Sequence, residues 1–271
     1  MSAAQARALL DWYIAMGVDC AISETPVDRF ALGNAVPAMS SPPVAVAFPP
    51  APPAPASRAS PPPPAMPPSD GAAGIAEARR LAAAATSLDE LREVMNAFEG
   101  CALKATATQL AFADGVAGSP LMLVGEAPGR EEDLQGRPFV GRSGQLLDRI
   151  LASIGLDRGK VYIANVVPWR PPGNRTPTPQ ELAICRPFIE RQIELAAPRC
   201  LVLLGGAANS ALTGSSHGIV KQRGKWLNLQ MGRLVLPAMP TFHPAYLLRN
   251  PLSKKLIWKD FMEVHQALRR T

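Results

Sequence analysis

The chain has 271 residues, enough for one sizeable domain with additions, and 47% are hydrophobic, an ordinary globular share. A net charge of +6 permits nucleic acid as a partner without requiring it. No apolar run approaches the roughly 20 residues that span a bilayer, and no basic stretch followed by an apolar core opens the chain, which argues against membrane insertion and secretion.

Ala6, Leu9, Leu10, Tyr13 and Met16 fall at near-helical spacing and predict a short amphipathic helix over 4–17. Residues 36–69 are mostly Pro, Ala and Ser and hold about half of the chain's 29 prolines. Such a segment buries too little apolar surface to offset its ordering entropy and reads as an extended spacer. The expected organisation is an N-terminal helical segment (1–33), a Pro/Ala-rich linker (34–71) and a folded domain (72–271). A helical pattern resumes over Gly74–Ala97, with Ser87 and Glu90 spaced as a capping box. Strands are predicted at Leu121–Val124, Val161–Val167, Cys200–Leu204 and Leu234–Met239. Helices are predicted at Gly144–Ile154, Pro179–Ala196, Ala207–Leu212 and Ser253–Arg270. Four apolar strands separated by helices imply a three-layer α/β/α fold on a four-stranded parallel sheet. Ligands of such sheets bind beyond the C-terminal strand ends, so function is expected in the loops Gly125–Asp133, Asn165–Asn174, Gly205–Ala207 and Thr241–Pro251. The four cysteines, Cys20, Cys101, Cys185 and Cys200, read as reduced thiols of a cytoplasmic protein.

Those loops carry distinct motifs. The first is Gly125-Glu126-Ala127-Pro128-Gly129-Arg130-Glu131-Glu132-Asp133, running into Gly136-Arg137-Pro138-Phe139-Val140-Gly141. The next is Asn165-Val166-Val167 with Arg170-Pro171-Pro172-Gly173-Asn174-Arg175, and the last is His243-Pro244-Ala245-Tyr246-Leu247-Leu248-Arg249-Asn250-Pro251. Over about residues 98–270 this set resembles the family 4 uracil-DNA glycosylases, the bacterial and archaeal type that usually carries an iron–sulfur cluster.

The resemblance implies excision of uracil from DNA after the nucleotide is flipped out of the helix. Phe139 would stack on the base, an interaction worth about 1–3 kcal/mol. Asn165 would read the uracil O4 and N3–H edge, which cytosine inverts. His243 would donate to O2, where charge gathers as the bond breaks. Glu126 would approach the scissile bond to position water or stabilise the cationic sugar. Ala127 lines the base site where better-known uracil glycosylases place an Asp, and Glu132 would sit near C5 and help exclude thymine. Leu247, Leu248 and Arg249 match the family's wedge, with Leu side chains filling the gap and Arg249 on phosphate. Arg137, Arg142, Arg170, Arg175, Lys221, Arg223 and Lys225 would track the phosphates and make binding salt-dependent.

The chain departs from the family at the cluster. Cys101 and Cys185 match the first and fourth ligands, but Lys104 and Trp169 stand at the second and third. Cubane iron–sulfur clusters are normally held by four thiolates, and only two of the four are present. The expectation is therefore no metal and no cofactor, with Trp169 filling the space; a retained [4Fe-4S] cluster is the alternative. The basic insertion with a histidine by which a related branch bonds DNA covalently has no counterpart in Pro171–Thr178. Uracil-containing DNA is the expected partner of a monomer, with a protein partner open for the N-terminal segment. A non-catalytic DNA-binding or polymerase-associated module is the competing reading. A nucleotide-cradling α/β enzyme is disfavoured because Gly125–Gly129 lacks a Gly-Lys-Ser/Thr ending.

Overall fold

The computed structural model describes residues 71–270. The N-terminal helical segment and the linker through residue 70 lie outside the described residues. The described chain opens with helices α1 (Gly71–Ala84) and α2 (Leu88–Ala97). The helical pattern over Gly74–Ala97 divides at Ser87, which caps a fresh start as its spacing from Glu90 suggests. Its Oγ accepts from Glu90 N at 3.2 Å, while the Glu90 carboxylate turns back to accept from Thr86 N and Oγ1, both at 2.7 Å. These side chains take backbone donors that a continuous helix would use in its own ladder.

Strand β1 (Asp114–Gly115) and strand β2 (Leu121–Gly125) follow, then helices α3 (Arg130–Gln135) and α4 (Arg142–Ala152) and strand β3 (Val161–Asn165). The 18-residue helix α5 (Pro179–Ala196) begins at a capping box: Thr178 Oγ1 accepts from Glu181 N at 3.2 Å and Glu181 accepts from Thr178 N at 2.7 Å. Pro179 occupies its first turn, where no amide donor is required. Strand β4 (Cys200–Leu204), helices α6 (Gly206–Thr213) and α7 (Ile219–Gln222), strands β5 (Leu227–Met231) and β6 (Leu234–Thr241), and helices α8 (Pro244–Arg249) and α9 (Lys254–Arg269) complete the described chain.

The strands form one sheet in the order β1-β3-β2-β4-β6-β5. The four expected strands are its parallel centre, β3-β2-β4-β6. Two antiparallel strands, β1 against β3 and β5 against β6, extend it to six and correct the four-strand expectation. Residues of the central strands alternate between two cores. Met122, Val124, Tyr162, Ala164, Leu201 and Leu203 pack with α1, α2, α5 and α6. Leu121, Leu123, Val161, Ile163, Val202 and Leu204 pack with α4 and α9 on the other side. Burial on both faces explains why these strands read as unbroken apolar runs. No helix among the described residues is long and apolar enough to cross a membrane.

The parallel arrangement gathers the functional loops at one edge. Gly125 and Asn165 are register partners at the ends of β2 and β3. Pairing continues past the strands, with Val166 N donating to Gly125 O at 2.9 Å and Val167 N to Glu126 O at 3.0 Å. Backbone alone thus fixes the first two loops to each other.

Candidate active site

Beyond these strand ends lies a cavity of about 430 Å³ whose wall includes Glu126, Ala127, Glu132, Phe139, Asn165 and His243. All six residues expected at the reacting or base-binding centre are therefore brought together. At the end of β2, a Cβ on Gly125 would lie 2.4 Å from Asn165 Oδ1 and 2.6 Å from Phe139 Cζ. Only glycine admits both side chains this close to the strand. Asn165 is 3% exposed, and its Oδ1 is buried without a hydrogen-bond partner in the protein. Such an acceptor carries a desolvation cost of about 1–3 kcal/mol until a donor arrives.

His243 caps α8: its Nδ1 accepts from Ala245 N at 3.1 Å. A lone pair is therefore on Nδ1, and the neutral ring carries its proton on Nε2. Burial, and then the positive charge of Arg249, push the imidazole pKa down to about 4, with Glu132 pulling weakly the other way. His243 is thus neutral at physiological pH. Its ring lies 5.4 Å from Phe139, centroid to centroid, with planes 28° apart. At a contact spacing of about 3.5 Å, that separation is mostly sideways slip. The imidazole occupies the layer above Phe139, beside rather than over the ring centre.

Glu126 is half-buried, and burial raises its pKa above the ordinary carboxylate value, partly opposed by a hydrogen bond with the Thr176 side chain. Glu132 differs. One oxygen accepts from Gly129 N at 3.1 Å and the other from Gly141 N at 2.9 Å, so it ties the two halves of the first motif together. It faces the cavity as a brace whose oxygens are occupied. Asp133 turns away, accepting from Thr108 N at 2.7 Å and Thr108 Oγ1 at 2.9 Å.

Of the wedge residues, Leu248 is exposed and Arg249 lines the cavity rim. Leu247 is fully buried in the core beneath α4 and α9, which removes it from the DNA-facing set. In a helix, neighbours point about 100° apart, so one of two adjacent leucines must turn inward. Arg142, Lys221 and Lys225 are exposed. Arg223 is not free for phosphate: it is ion-paired with Asp260, donates to Leu256 O at 2.8 Å and stands 5.6 Å from the Phe242 ring. Arg137 is held by Asp114 at 3.0 Å, Arg170 by Asn174 at 2.6 Å, and Arg175 by both oxygens of Glu181. Thr176 and Tyr246 also line the cavity. Neither is singled out by sequence, because a Thr in a polar loop and a Tyr beside apolar neighbours carry no distinguishing signal.

The sequence profile of the Uracil DNA glycosylase superfamily matches residues 112–262, more than half of the chain. The chain belongs to the uracil DNA glycosylase superfamily. Its similarity to curated members is broad. It is 44% identical to the Type-4 uracil-DNA glycosylase of Thermotoga maritima over 63% of this chain and 88% of that protein. It is 36% identical to the Type-4 enzyme of Sulfurisphaera tokodaii over 66% of this chain and 84% of that protein. It is 38% identical to that of Archaeoglobus fulgidus over 66% of this chain and 92% of that protein.

Within this superfamily, the resemblance to family 4 implies an iron–sulfur cluster, and the donor set at the corresponding positions does not fit one. Cys101 Sγ and Cys185 Sγ are buried 4.0 Å apart, hydrogen-bonded to each other. That contact lowers the Cys101 pKa and raises that of Cys185. Lys104 Nζ donates to Asn96 O at 2.6 Å and to Glu99 Oε1 at 2.5 Å. Trp169 is 2% exposed, its ring 6.4 Å from Phe98. Two thiols, an ammonium and an indole cannot supply four thiolate ligands. Cys200 opens β4, where burial drives its thiol pKa up to about 11, and Cys20 lies outside the described residues. Among the described residues, no group of three or more His, Cys, Asp or Glu is placed to hold a metal.

Proposed function

We propose that this chain hydrolyses the N-glycosidic bond of deoxyuridine in DNA, releasing uracil and leaving an abasic site for base excision repair. The observation that carries the reading is the buried, unpartnered Asn165 Oδ1 in a cavity wall shared with Phe139 and His243. Uracil N3–H supplies the donor this oxygen lacks, and uracil O4 accepts from the Asn165 amide. Cytosine offers a donor and an acceptor in the reverse order and would leave both groups unpaired.

A base stacked on Phe139 enters the layer that His243 already shares. From there the neutral ring can donate its Nε2–H to O2. As the C1′–N1 bond breaks, its electron pair moves into the uracil ring and O2, and a preorganised donor at that oxygen is worth about 10²–10³ in rate. Water forms the new bond to C1′ and passes its proton to Glu126, whose raised pKa suits a general base. The Glu126 charge also favours the cationic sugar before water attacks. Glu132 supports this site as a brace between Gly129 and Gly141. The intact reader, platform and donor speak against a mere binding module, which needs no O2 donor.

Leu248 wedges into the gap left by the flipped nucleotide, and Arg249 and Arg142 hold flanking phosphates. The catalytic domain spans residues 72–271, acts as a monomer on DNA in the cytoplasm, and leaves the N-terminal segment for a protein partner. It works without an iron–sulfur cluster, because the donor set at Cys101, Lys104, Trp169 and Cys185 does not fit one. Incubation with an oligonucleotide bearing one uracil, followed by chromatography of the released base, tests the reading. Free uracil is expected; DNA bound but intact would leave only the binding-module reading.

A further inference from the structure

Phe139 holds a backbone conformation that L residues resist. Its φ is +56°, in the left-handed region, and it lies within the buried core. For a bulky non-glycine residue this persists only where the surroundings over-determine it. Two features do so from the side away from the cavity. A Cβ on Gly144, in the first turn of α4, would stand 1.6 Å from Phe139 O, so that carbonyl packs against a helix surface with no side chain. The guanidinium of Arg158 then closes on the same oxygen: Nη2 donates to Phe139 O, and Nη1 donates to Pro138 O at 3.4 Å.

Arg158 is itself held in place. Its Nε donates to Asp148 Oδ1 at 2.8 Å, and Nη1 is ion-paired with Asp114. Asp114 is steadied in turn by Arg137, 3.0 Å from both carboxylate oxygens, and by Gly115 N at 2.9 Å. Two carboxylates and two carbonyls thus converge on one planar fork, an arrangement an ammonium cannot reproduce. Arg158 is not in the cavity wall. Its link to the site runs through the Phe139 carbonyl.

We propose that Arg158 is a positioning residue for uracil excision, which locks the Phe139 carbonyl and thereby aims the ring at the base. The inference rests on the glycosylase reading above, since it gives the Phe139 ring its task. Loss of the guanidinium leaves Phe139 free to relax toward negative φ, carrying the ring away from Gly125, Asn165 and His243. A displacement of about 1 Å costs on the order of 10²-fold in rate.

The test compares wild type, Arg158→Ala, Arg158→Lys and Phe139→Ala on a uracil oligonucleotide under single-turnover conditions, with DNA affinity measured alongside. Arg158→Ala is expected to lose about 10- to 100-fold in the chemical step with little change in DNA affinity. Added guanidinium ion is expected to restore part of that rate in Arg158→Ala, but to accelerate neither wild type nor Phe139→Ala. Arg158→Lys is expected to stay impaired. If Arg158→Ala does not fold, Asp114→Asn, which loosens the same fork, is measured in its place and should show the same selective loss of rate. Variants as fast as wild type, or a loss that guanidinium never relieves in folded Arg158→Ala, would overturn the inference while leaving the glycosylase reading intact. Inactivity of wild type itself would instead remove that reading.

Discussion

Replacing Gly125 with alanine adds one methyl group where the structure has no room for it. The backbone there lies outside the left-handed region, so alanine adopts it without strain. The new Cβ would stand 2.4 Å from Asn165 Oδ1 and 2.6 Å from Phe139 Cζ, against a contact distance of about 3.5 Å. Reader and platform must each retreat by about 1 Å, which is worth on the order of 10²-fold in rate. Overpacking should cost about 1–3 kcal/mol of stability, lowering Tm by about 2–4 °C per kcal/mol in a domain of this size. Excision by Gly125→Ala, measured under single-turnover conditions well below its Tm, should therefore fall about 100-fold while DNA affinity is retained. A folded variant excising uracil near the wild-type rate would refute the close packing of Asn165 and Phe139 against Gly125.

Excision should have an acid limb set by Glu126, whose pKa burial raises above its ordinary value, and Glu126→Gln should flatten that limb in the pH–rate profile. His243 is depressed to about 4 when folded and returns to an ordinary value near 6.5 when unfolded, so its contribution to stability is complete above 6.5 and is lost as pH falls toward 4. Denaturant titrations at pH 7 and about pH 5 should differ by about 2 kcal/mol more in wild type than in His243→Gln. Leu247→Ala should destabilise the fold by about 2–5 kcal/mol, whereas Leu248→Ala should spare Tm and slow excision from duplex more than from single-stranded DNA.

Much of the fold is legible in the sequence because its signals are local. β4 and α5 have the predicted limits: a doubly buried strand is an unbroken apolar run, and Thr178-Pro179 with Glu181 marks a helix start unambiguously. β5 alternates Leu227, Leu229 and Met231 and carried a readable signal as an edge strand, whereas β1 is two residues long and has none. The cavity residues Glu126, Asn165 and His243 are legible because each sits at or just past a strand end, whereas Phe139, in the turn between α3 and α4, is legible only through the motif it shares with the family. What escapes sequence is orientation and long-range pairing. Nothing in Leu247-Leu248 says which side chain turns inward. Nothing near Glu132 says that Gly141 N will claim its second oxygen. Arg158 reaches Phe139 across 19 positions of chain, a partnership no periodicity encodes.

The central claim is a uracil pocket that works where the family's cluster ligands are half replaced. It is tested most directly by measuring iron content and uracil excision on the same preparation of the full chain. The account predicts excision from single uracil sites, seen as alkali-labile breaks, with iron far below stoichiometry and no change after chelation. Excision that appears only in proportion to bound iron, or none from folded protein that binds the DNA, would contradict it.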